Sequence, residues 1–364
     1  MTGTGPTPIR VLIVDDSAVI RGALGRIVDA EPDMTVVTTA PNGRVALDAL
    51  RHTVIDVVLL DVEMPEMDGL AALPLILAGH PGVRVIMASS LTQKGAEVTM
   101  HALALGASDF IAKPAARSGA ATLAAISAEI AAKIRAVGRA PRTGAPHETL
   151  PPGSAVPRRT ELLATRHGEA RPRILAIAAS TGGPNALATV LGALPLSFAL
   201  PILITQHMPA LFTTLLAQRL ERDAHRRCVE PSDGDLLQPG CTYVAPGEYH
   251  LTVQTDEGRP VARLTQAPPE NFCRPSADPM FRSIAGIYGA STLAVVLTGM
   301  GEDGMRGARE VHARGGRVLA QDEATSVVWG MPGAVAAAGI AHAILPLDRI
   351  AAAIVSECGL AVAA

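Results

Sequence analysis

Aromatic residues are what this chain has least of: Trp, Tyr and Phe make up 2% of its 364 residues. Its cores must therefore be filled by Ala, Val, Leu and Ile, a composition that favours α/β layers. Cysteine is also scarce. The four cysteines are too widely spaced for metal-ligand pairs and fit a reduced cytoplasmic interior. They are Cys228, Cys241, Cys273 and Cys358.

The sequence also lacks long uncharged apolar runs and a large excess of charge of one sign. No such run reaches the length of a membrane span, and residues 1–8 lack the apolar core of a signal peptide. With a net charge of -3, the chain has no excess of positive charge that would bind nucleic acid. We therefore expect a cytoplasmic protein with no direct membrane insertion and no nucleic-acid partner. The length and an apolar content of 48% allow two cored domains.

The first part of the chain alternates short apolar runs with amphipathic segments. The apolar runs predict five strands, at 9–14, 34–39, 55–60, 83–88 and 108–111. Strands that alternate with helices predict a doubly wound parallel sheet with right-handed crossovers. Chemistry in such sheets collects at the carboxyl ends of the strands.

Charged and hydroxyl side chains stand where these predicted strands end. They are Asp15, Asp16, Asp61, Ser89 and Lys113. Carboxylates brought together repel one another unless they share a cation, and oxygen-only ligation suits Mg2+. The first two aspartates alone would also fit a solvated loop or a helix N-cap. The whole set favours a cation site.

Residues 9–136 resemble the response-regulator receiver domain, through the motifs VLIVDDS, VVLLDVEMPEMDG, VIMASSLT and DFIAKP. The resemblance implies a flavodoxin-like fold in which Asp61 accepts a phosphoryl group from a chemotaxis histidine kinase. It implies Mg2+ held by Asp16, Asp61 and the main-chain carbonyl of Glu63, with Asp15 acting mostly through a coordinated water. It also assigns the receiver switch to Ser89, Phe110 and Lys113.

The alternation of apolar runs with amphipathic segments stops after residue 136. Residues 137–172 are rich in Pro, Gly, Thr and Arg, which predicts a linker. The excess of arginine leaves a partner-docking tail as an alternative. The linker would join the receiver to a second domain over 173–360.

The second domain opens with an uncharged run, 174–178, that reads as a strand buried on both faces and stops at Ser180. The Thr-Gly-Gly-Pro that follows predicts a tight turn into a helix. On this stretch alone Ser180 fits a helix N-cap, a phosphate-binding turn or an exposed nucleophile.

Two further candidates also follow predicted strands. His207 follows the run 202–205, and Asp303 follows the run 293–297 within a glycine-rich turn. Each alone would more often be a structural or turn residue. Together with Ser180 they supply the nucleophile, base and orienting carboxylate of an acyl-transfer triad.

The second domain resembles the catalytic domain of the CheB family, through AASTGGPNAL, ITQHMP, CRPSADPMF, LTGMGEDGM and LAQDEATSVVWGMPGAV. The resemblance implies a Rossmann-like α/β esterase that hydrolyses γ-glutamyl methyl esters on the cytoplasmic signalling domain of methyl-accepting chemoreceptors and deamidates receptor glutamines. It implies Ser180 as nucleophile, His207 as general base and acid, and Asp303 as orienting group. Main-chain N–H groups of Thr181 and Met300 would hold the oxyanion. No cofactor is expected for the esterase step.

The chain departs from the family's usual motifs at two positions. Ala178 replaces a glycine before the serine turn, and Cys273 replaces a histidine at a position we expect at the substrate rim. The leading alternative is a non-catalytic protein whose partner binding is controlled by phosphorylation. A nucleotide-binding domain would need a phosphate-loop motif that the chain lacks, and a DNA-binding regulator would need a basic recognition helix.

Overall fold

The computed structural model describes residues 7–90, 92–113, 120–139 and 170–359. The chain divides into two compact units, Met1–Pro146 and His147–Ala364. Most of the predicted linker, 137–172, lies outside the described residues, so its limits stay a prediction. Among the helices in the described ranges, none has the length and apolar character to cross a membrane.

The first unit is a five-stranded parallel sheet with helices between its strands. The strand order β2-β1-β3-β4-β5 confirms the flavodoxin-like prediction. Asp61 and Ser89 are the last residues of their strands, as predicted. The elements are β1 (Ile9–Val14), α1 (Ala18–Asp29), β2 (Met34–Ala40), α2 (Gly43–His52), β3 (Val57–Asp61), α3 (Gly69–Gly79), β4 (Arg84–Ser89), α4 (Gln93–Ala104), β5 (Asp109–Ala112) and α5 (Ala120–Gly138).

The second unit is a seven-stranded parallel sheet with helices, which confirms the second α/β domain. Its elements are β6 (Ile174–Ala179), α6 (Gly183–Ala193), β7 (Ile202–Gln206), α7 (Ala210–Ala224), β8 (Cys228–Val229), β9 (Thr242–Val244), β10 (His250–Asp256), β11 (Arg259–Thr265), α8 (Ala277–Tyr288), β12 (Thr292–Val296), α9 (Met305–Ala313), β13 (Arg317–Gln321), α10 (Met331–Ala337), β14 (Ala343–Leu345) and α11 (Leu347–Glu357). The antiparallel hairpin of β10 and β11 lies outside this sheet and was not predicted.

The strand order places the three predicted site strands side by side. It runs β14-β13-β12-β6-β7-β9-β8, so β6 lies between β7 and β12. All of β6 is buried, as its uncharged sequence predicted. The strand that follows β6 in the chain, β7, lies on one side of it, and β12 lies on the other side. Parallel α/β sheets bind ligands in the crevice where the strand order reverses in this way.

A glycine lets two helices approach closely beside this crevice. On α9, a Cβ at Gly307 would lie 2.6 Å from the Cβ of Phe281 and 2.9 Å from the main-chain oxygen of Asp278, both on α8. The Gly307 main-chain N–H donates to the Asp278 carboxylate at 2.6 Å. Because the nearest atoms include backbone, a side chain here would force the helices apart.

We predict opposite effects for two glycine substitutions at α8 and α9. Gly307→Ala should destabilise the second unit by about 1–3 kcal/mol through overpacking. Gly286→Ala, on the exposed face of α8 with nothing within 4 Å of its Cβ, should stabilise it by up to about 1 kcal/mol through helix propensity. Urea unfolding of both variants measures the difference, and equal stabilities would contradict the close packing of α8 on α9.

Candidate active site

The turn that carries Ser180 is held by hydrogen bonds on both sides. Ser180 N–H donates to the main-chain oxygen of Thr298 at 3.0 Å, and its carbonyl accepts from Gly183 N–H at 2.8 Å and from Gln206 Nε2 at 2.9 Å. The N-cap of α6 is Gly182 (φ 77°), with no side-chain cap hydrogen bond. This excludes the interpretation of Ser180 as an N-cap and leaves its hydroxyl available for chemistry.

His207 lies beside this turn because of the register of β6 and β7. Ala179 pairs with Gln206 in the parallel ladder, so Ser180 and His207 are the next residue on each strand. The His207 main-chain N–H still donates to the Ala179 carbonyl at 3.3 Å. Serine and histidine therefore leave the sheet at the same edge.

Asp303 joins the site from the loop after β12. Its Oδ2 lies 2.7 Å from His207 Nε2. Since a carboxylate only accepts, Nε2 carries the proton of that hydrogen bond. The other donors to this carboxylate are Asn271 Nδ2 at 2.8 Å, Ser276 Oγ at 2.7 Å, Ala277 N–H at 2.7 Å and Asp278 N–H at 3.3 Å.

Asn271 and Ser276 were not predicted as site residues. Ser276 stands in a quoted motif, CRPSADPMF, but its role depends on a carboxylate that lies 27 positions further along the chain. Asn271 precedes that motif and also donates to Asp278 Oδ2 at 3.0 Å. Only the folded chain brings these donors to Asp303.

The charges of the pair stabilise each other. Burial opposes ionisation of Asp303, but hydrogen bonds from His207, Ser276 and Ala277 N–H hold the pKa of its carboxyl well below the usual value. Burial also disfavours a charged His207, yet Asp303 and Cys273 together raise the pKa of its imidazole above the usual value. Both shifts favour the ion pair of a protonated His207 with an ionised Asp303.

Cys273 lies against the second ring nitrogen of the histidine. Its Sγ is 3.5 Å from His207 Nδ1. Both ring nitrogens of His207 therefore have partners, Nε2 with Asp303 and Nδ1 with the Cys273 sulfur, and among the described residues no hydrogen bond joins the Ser180 hydroxyl to the imidazole. The sequence led us to expect Cys273 at the substrate rim, and the structure adds a contact of its sulfur with the proposed base.

The loop after β12 also borders the serine. A Cβ at Gly299 would lie 2.9 Å from the Cβ of Ser180, so only a glycine permits this approach. Thr298 Oγ1 donates to the Thr181 carbonyl at 2.9 Å and accepts from Val328 N–H at 3.0 Å. Thr181 and Met300 thus lie on two loops that meet at the serine turn.

The predicted acidic cluster is present in the first unit. One carboxylate oxygen from each of Asp15, Asp16 and Asp61 lies within 4.8 Å of the others. The Lys113 ammonium is 2.6 Å from Asp61 Oδ1 and 2.8 Å from Asp15 Oδ2. The contact with Asp15 is an ion pair without hydrogen-bond geometry, so this buried oxygen has no hydrogen-bond partner. Hard oxygen ligands with one buried oxygen unsatisfied fit a Mg2+ ion.

Burial is the largest influence on the pKa of Asp61, the phospho-acceptor candidate. It raises the pKa of the Asp61 carboxyl, although the Lys113 ammonium acts in the opposite direction. The Asp61 side chain is only 4% exposed. A cation and a lysine are the groups that would compensate added negative charge there.

The other predicted receiver residues have partners outside this cluster. Ser89 Oγ donates to the Gly95 carbonyl at 3.1 Å, and the buried Phe110 ring has the Lys133 ammonium 5.0 Å from its centroid. Glu63 directs its exposed carboxylate to Lys94, 2.6 Å away. That pairing leaves only its main chain for the predicted metal contact.

The fold and the polar groups at its sheet edges define a two-unit α/β protein, a receiver followed by a hydrolase-type domain. The chain matches the CheB methylesterase family model over residues 175–354 and the response regulator receiver domain model over residues 11–124. It is 49% identical over 359 residues, 94% of either chain, to "Protein-glutamate methylesterase/protein-glutamine glutaminase 1" of Paramagnetospirillum magneticum. The chain therefore belongs to the CheB methylesterase family.

Two further relatives agree with this assignment. One is the protein-glutamate methylesterase/protein-glutamine glutaminase of Azospirillum brasilense, 45% identical over 95% of this chain and 92% of that protein. The other is the crystal structure of the Thermotoga maritima CheB methylesterase catalytic domain, which is 39% identical and has a TM-score of 0.50. That domain is matched over 98% of its length and covers 51% of this chain.

We predict that Cys273 contributes to the raised pKa of His207. NMR titration of labelled histidine should give a pKa above the ordinary value for His207 in the wild type, and Cys273→Ala should lower it because one of two stabilising partners is lost. Cys358→Ala, which removes a buried thiol elsewhere in the unit, is the matched control. An unchanged His207 pKa in Cys273→Ala would show that the sulfur does not act on the imidazole.

Proposed function

We propose that this protein is a phosphorylation-activated protein-glutamate methylesterase that also deamidates receptor glutamines. The observation that carries the proposal is the 2.7 Å contact of His207 with Asp303 at the sheet edge where the Ser180 turn lies. The names of the relatives supply the substrate class, methyl esters of protein glutamates and protein glutamines. We propose that methyl-accepting chemotaxis receptors carry these groups.

The proposed chemistry gives the three side chains the roles of nucleophile, base and orienting group. Ser180 Oγ attacks the ester carbonyl while His207 Nδ1 accepts its proton, and Asp303 stabilises the resulting imidazolium. The tetrahedral intermediate collapses to an acyl-enzyme, and methanol leaves with the proton returned by His207. Water, activated by the same imidazole, then releases the glutamate carboxylate and restores Ser180. With a glutamine substrate the leaving group is ammonia.

The negative charge that develops on the carbonyl oxygen needs donors fixed in advance. We assign these to the main-chain N–H groups of Thr181 and Met300. The loop of Met300 is braced through Thr298, whose hydroxyl bonds both Thr181 and Val328. No metal is required for this step in our scheme.

Regulation is assigned to the receiver. A chemotaxis histidine kinase is the proposed phosphodonor to Asp61, and a Mg2+ ion would be held by Asp16, Asp61 and the Glu63 carbonyl, with Asp15 acting through a water. Such an ion neutralises phosphoryl charge during transfer. Lys113 supplies a second positive charge at Asp61, and Ser89 and Phe110 carry the change to the unit's surface. The proposed location is the cytoplasm, where kinase and receptor signalling domains are accessible.

Ser180→Ala should reduce methanol release from methylated receptor membranes by about a thousandfold or more, because it removes the nucleophile. Ser197→Ala is the matched control, since this exposed serine precedes β7 at the opposite edge of the sheet. An organophosphonate should label the wild type and not Ser180→Ala. Wild-type methanol release by the alanine variant, or no labelling of the wild type, would favour the non-catalytic partner-binding alternative.

Asp61→Asn should abolish the stimulation of methanol release by a small phosphodonor, since the amide cannot accept the phosphoryl group. The comparison is made on the full chain, with and without phosphodonor. Asp48→Asn, a substitution at an exposed position on α2, should keep the stimulation. Stimulation of Asp61→Asn equal to that of the wild type would reject Asp61 as the phosphorylation site.

A further inference from the structure

A tight turn at the edge of the active site presents one aromatic side chain to solvent. Glu270 and Cys273 exchange both main-chain hydrogen bonds, at 2.9 and 3.2 Å, around the two-residue loop of Asn271 and Phe272. The loop residues have φ of 51° and 63°. Two successive positive φ angles are the mark of a type I′ turn.

Phe272 is an unfavourable residue for this turn. Type I′ turns prefer Asn followed by Gly, and a bulky residue at positive φ is strained. Packing does not compensate the strain, because the side chain is fully exposed at 102%. Outliers of this kind concentrate at functional sites.

The turn is tied to the proposed catalytic groups on both sides of Phe272. Asn271 donates to Asp303 at 2.8 Å, and the Cys273 sulfur lies 3.5 Å from His207 Nδ1. The Glu270 carboxylate is held by Arg282 of α8 at 2.9 Å. Phe272 is therefore carried on a braced turn whose neighbouring residues touch the base and its orienting carboxylate.

We propose that Phe272 is a substrate-binding residue that packs against the helical receptor segment bearing the esterified glutamate. This inference rests on the proposed function. A glutamyl side chain is short, so when its ester reaches Ser180 the receptor backbone must lie at the rim of the site, where the turn stands. An exposed aromatic held in place loses little entropy on contact, and such residues dominate binding at protein interfaces.

The contact acts on protein substrates and leaves the chemical step unchanged. Its loss removes binding that is equal in the ground and transition states, which raises KM and leaves kcat intact. A small soluble ester such as N-acetylglutamate γ-methyl ester has no helix to meet Phe272. The ratio of activity on methylated receptor to activity on the small ester therefore isolates the role of the Phe272 side chain.

The test uses Phe272→Ala and Phe272→Gly in the full chain. Both should raise KM for methylated receptor by about tenfold or more with kcat unchanged, and both should hydrolyse the small ester at the wild-type rate. Phe272→Gly should also melt at or above the wild-type temperature, because glycine suits the positive φ. Phe272→Leu, which keeps an apolar side chain, should restore most of the affinity for receptor.

Leu196→Ala is the matched control, because Leu196 is 75% exposed in the same unit but precedes β7 at the opposite sheet edge. Its KM for receptor should equal that of the wild type. An unchanged receptor KM in Phe272→Gly would overturn the proposal. If Phe272→Gly lost as much activity on the small ester as on the receptor, Phe272 would belong to the chemical step instead. If the unphosphorylated variant hydrolysed the small ester faster than the wild type, Phe272 would belong to regulation. A wild-type chain that hydrolyses neither ester would refute the proposed function itself.

Discussion

The second unit depends on one buried carboxylate. Asp303 is 2% exposed, and a charge so placed is tolerated only when hydrogen bonds replace its water. Five residues donate to it: His207, Asn271, Ser276, Ala277 and Asp278. These donors come from the end of β7, from the segment before α8 and from the first turn of α8. To satisfy this charge, the chain must bring all of these segments together at the carboxyl edge of the sheet.

The same hydrogen-bond network extends to the rim of the candidate site. Asn271 bridges Asp303 and Asp278, and Asp278 in turn accepts from Gly307 N–H at the close approach of α8 and α9. The turn around Phe272 therefore continues the hydrogen-bond network that holds the Asp303 carboxylate. The placement of His207 and the display of Phe272 have a common structural cause.

Much of this arrangement could be predicted from the sequence, because local patterns encode it. Uncharged runs predicted buried strands, and the polar residues after them predicted where chemistry collects in a parallel sheet. The local sequence could not predict that β6 and β12 are neighbours, since more than 110 residues separate them and strand order depends on long-range pairing. The hairpin of β10 and β11 was missed as well. Asn271 and Ser276 were not predicted because their partner lies far along the chain. The contact of Cys273 with His207 was not predicted because it depends on the orientation of the imidazole ring.

Both units place their chemistry at the carboxyl ends of parallel strands, yet their electrostatics are opposite. In the second unit the Asp303 carboxylate is surrounded by donors, which stabilise its charge and fix its position. In the first unit the carboxylates of Asp15 and Asp61 share one lysine, and Asp15 Oδ2 is left without a hydrogen bond. A fully satisfied carboxylate resists change, whereas an incompletely satisfied acidic cluster suits the binding of a cation.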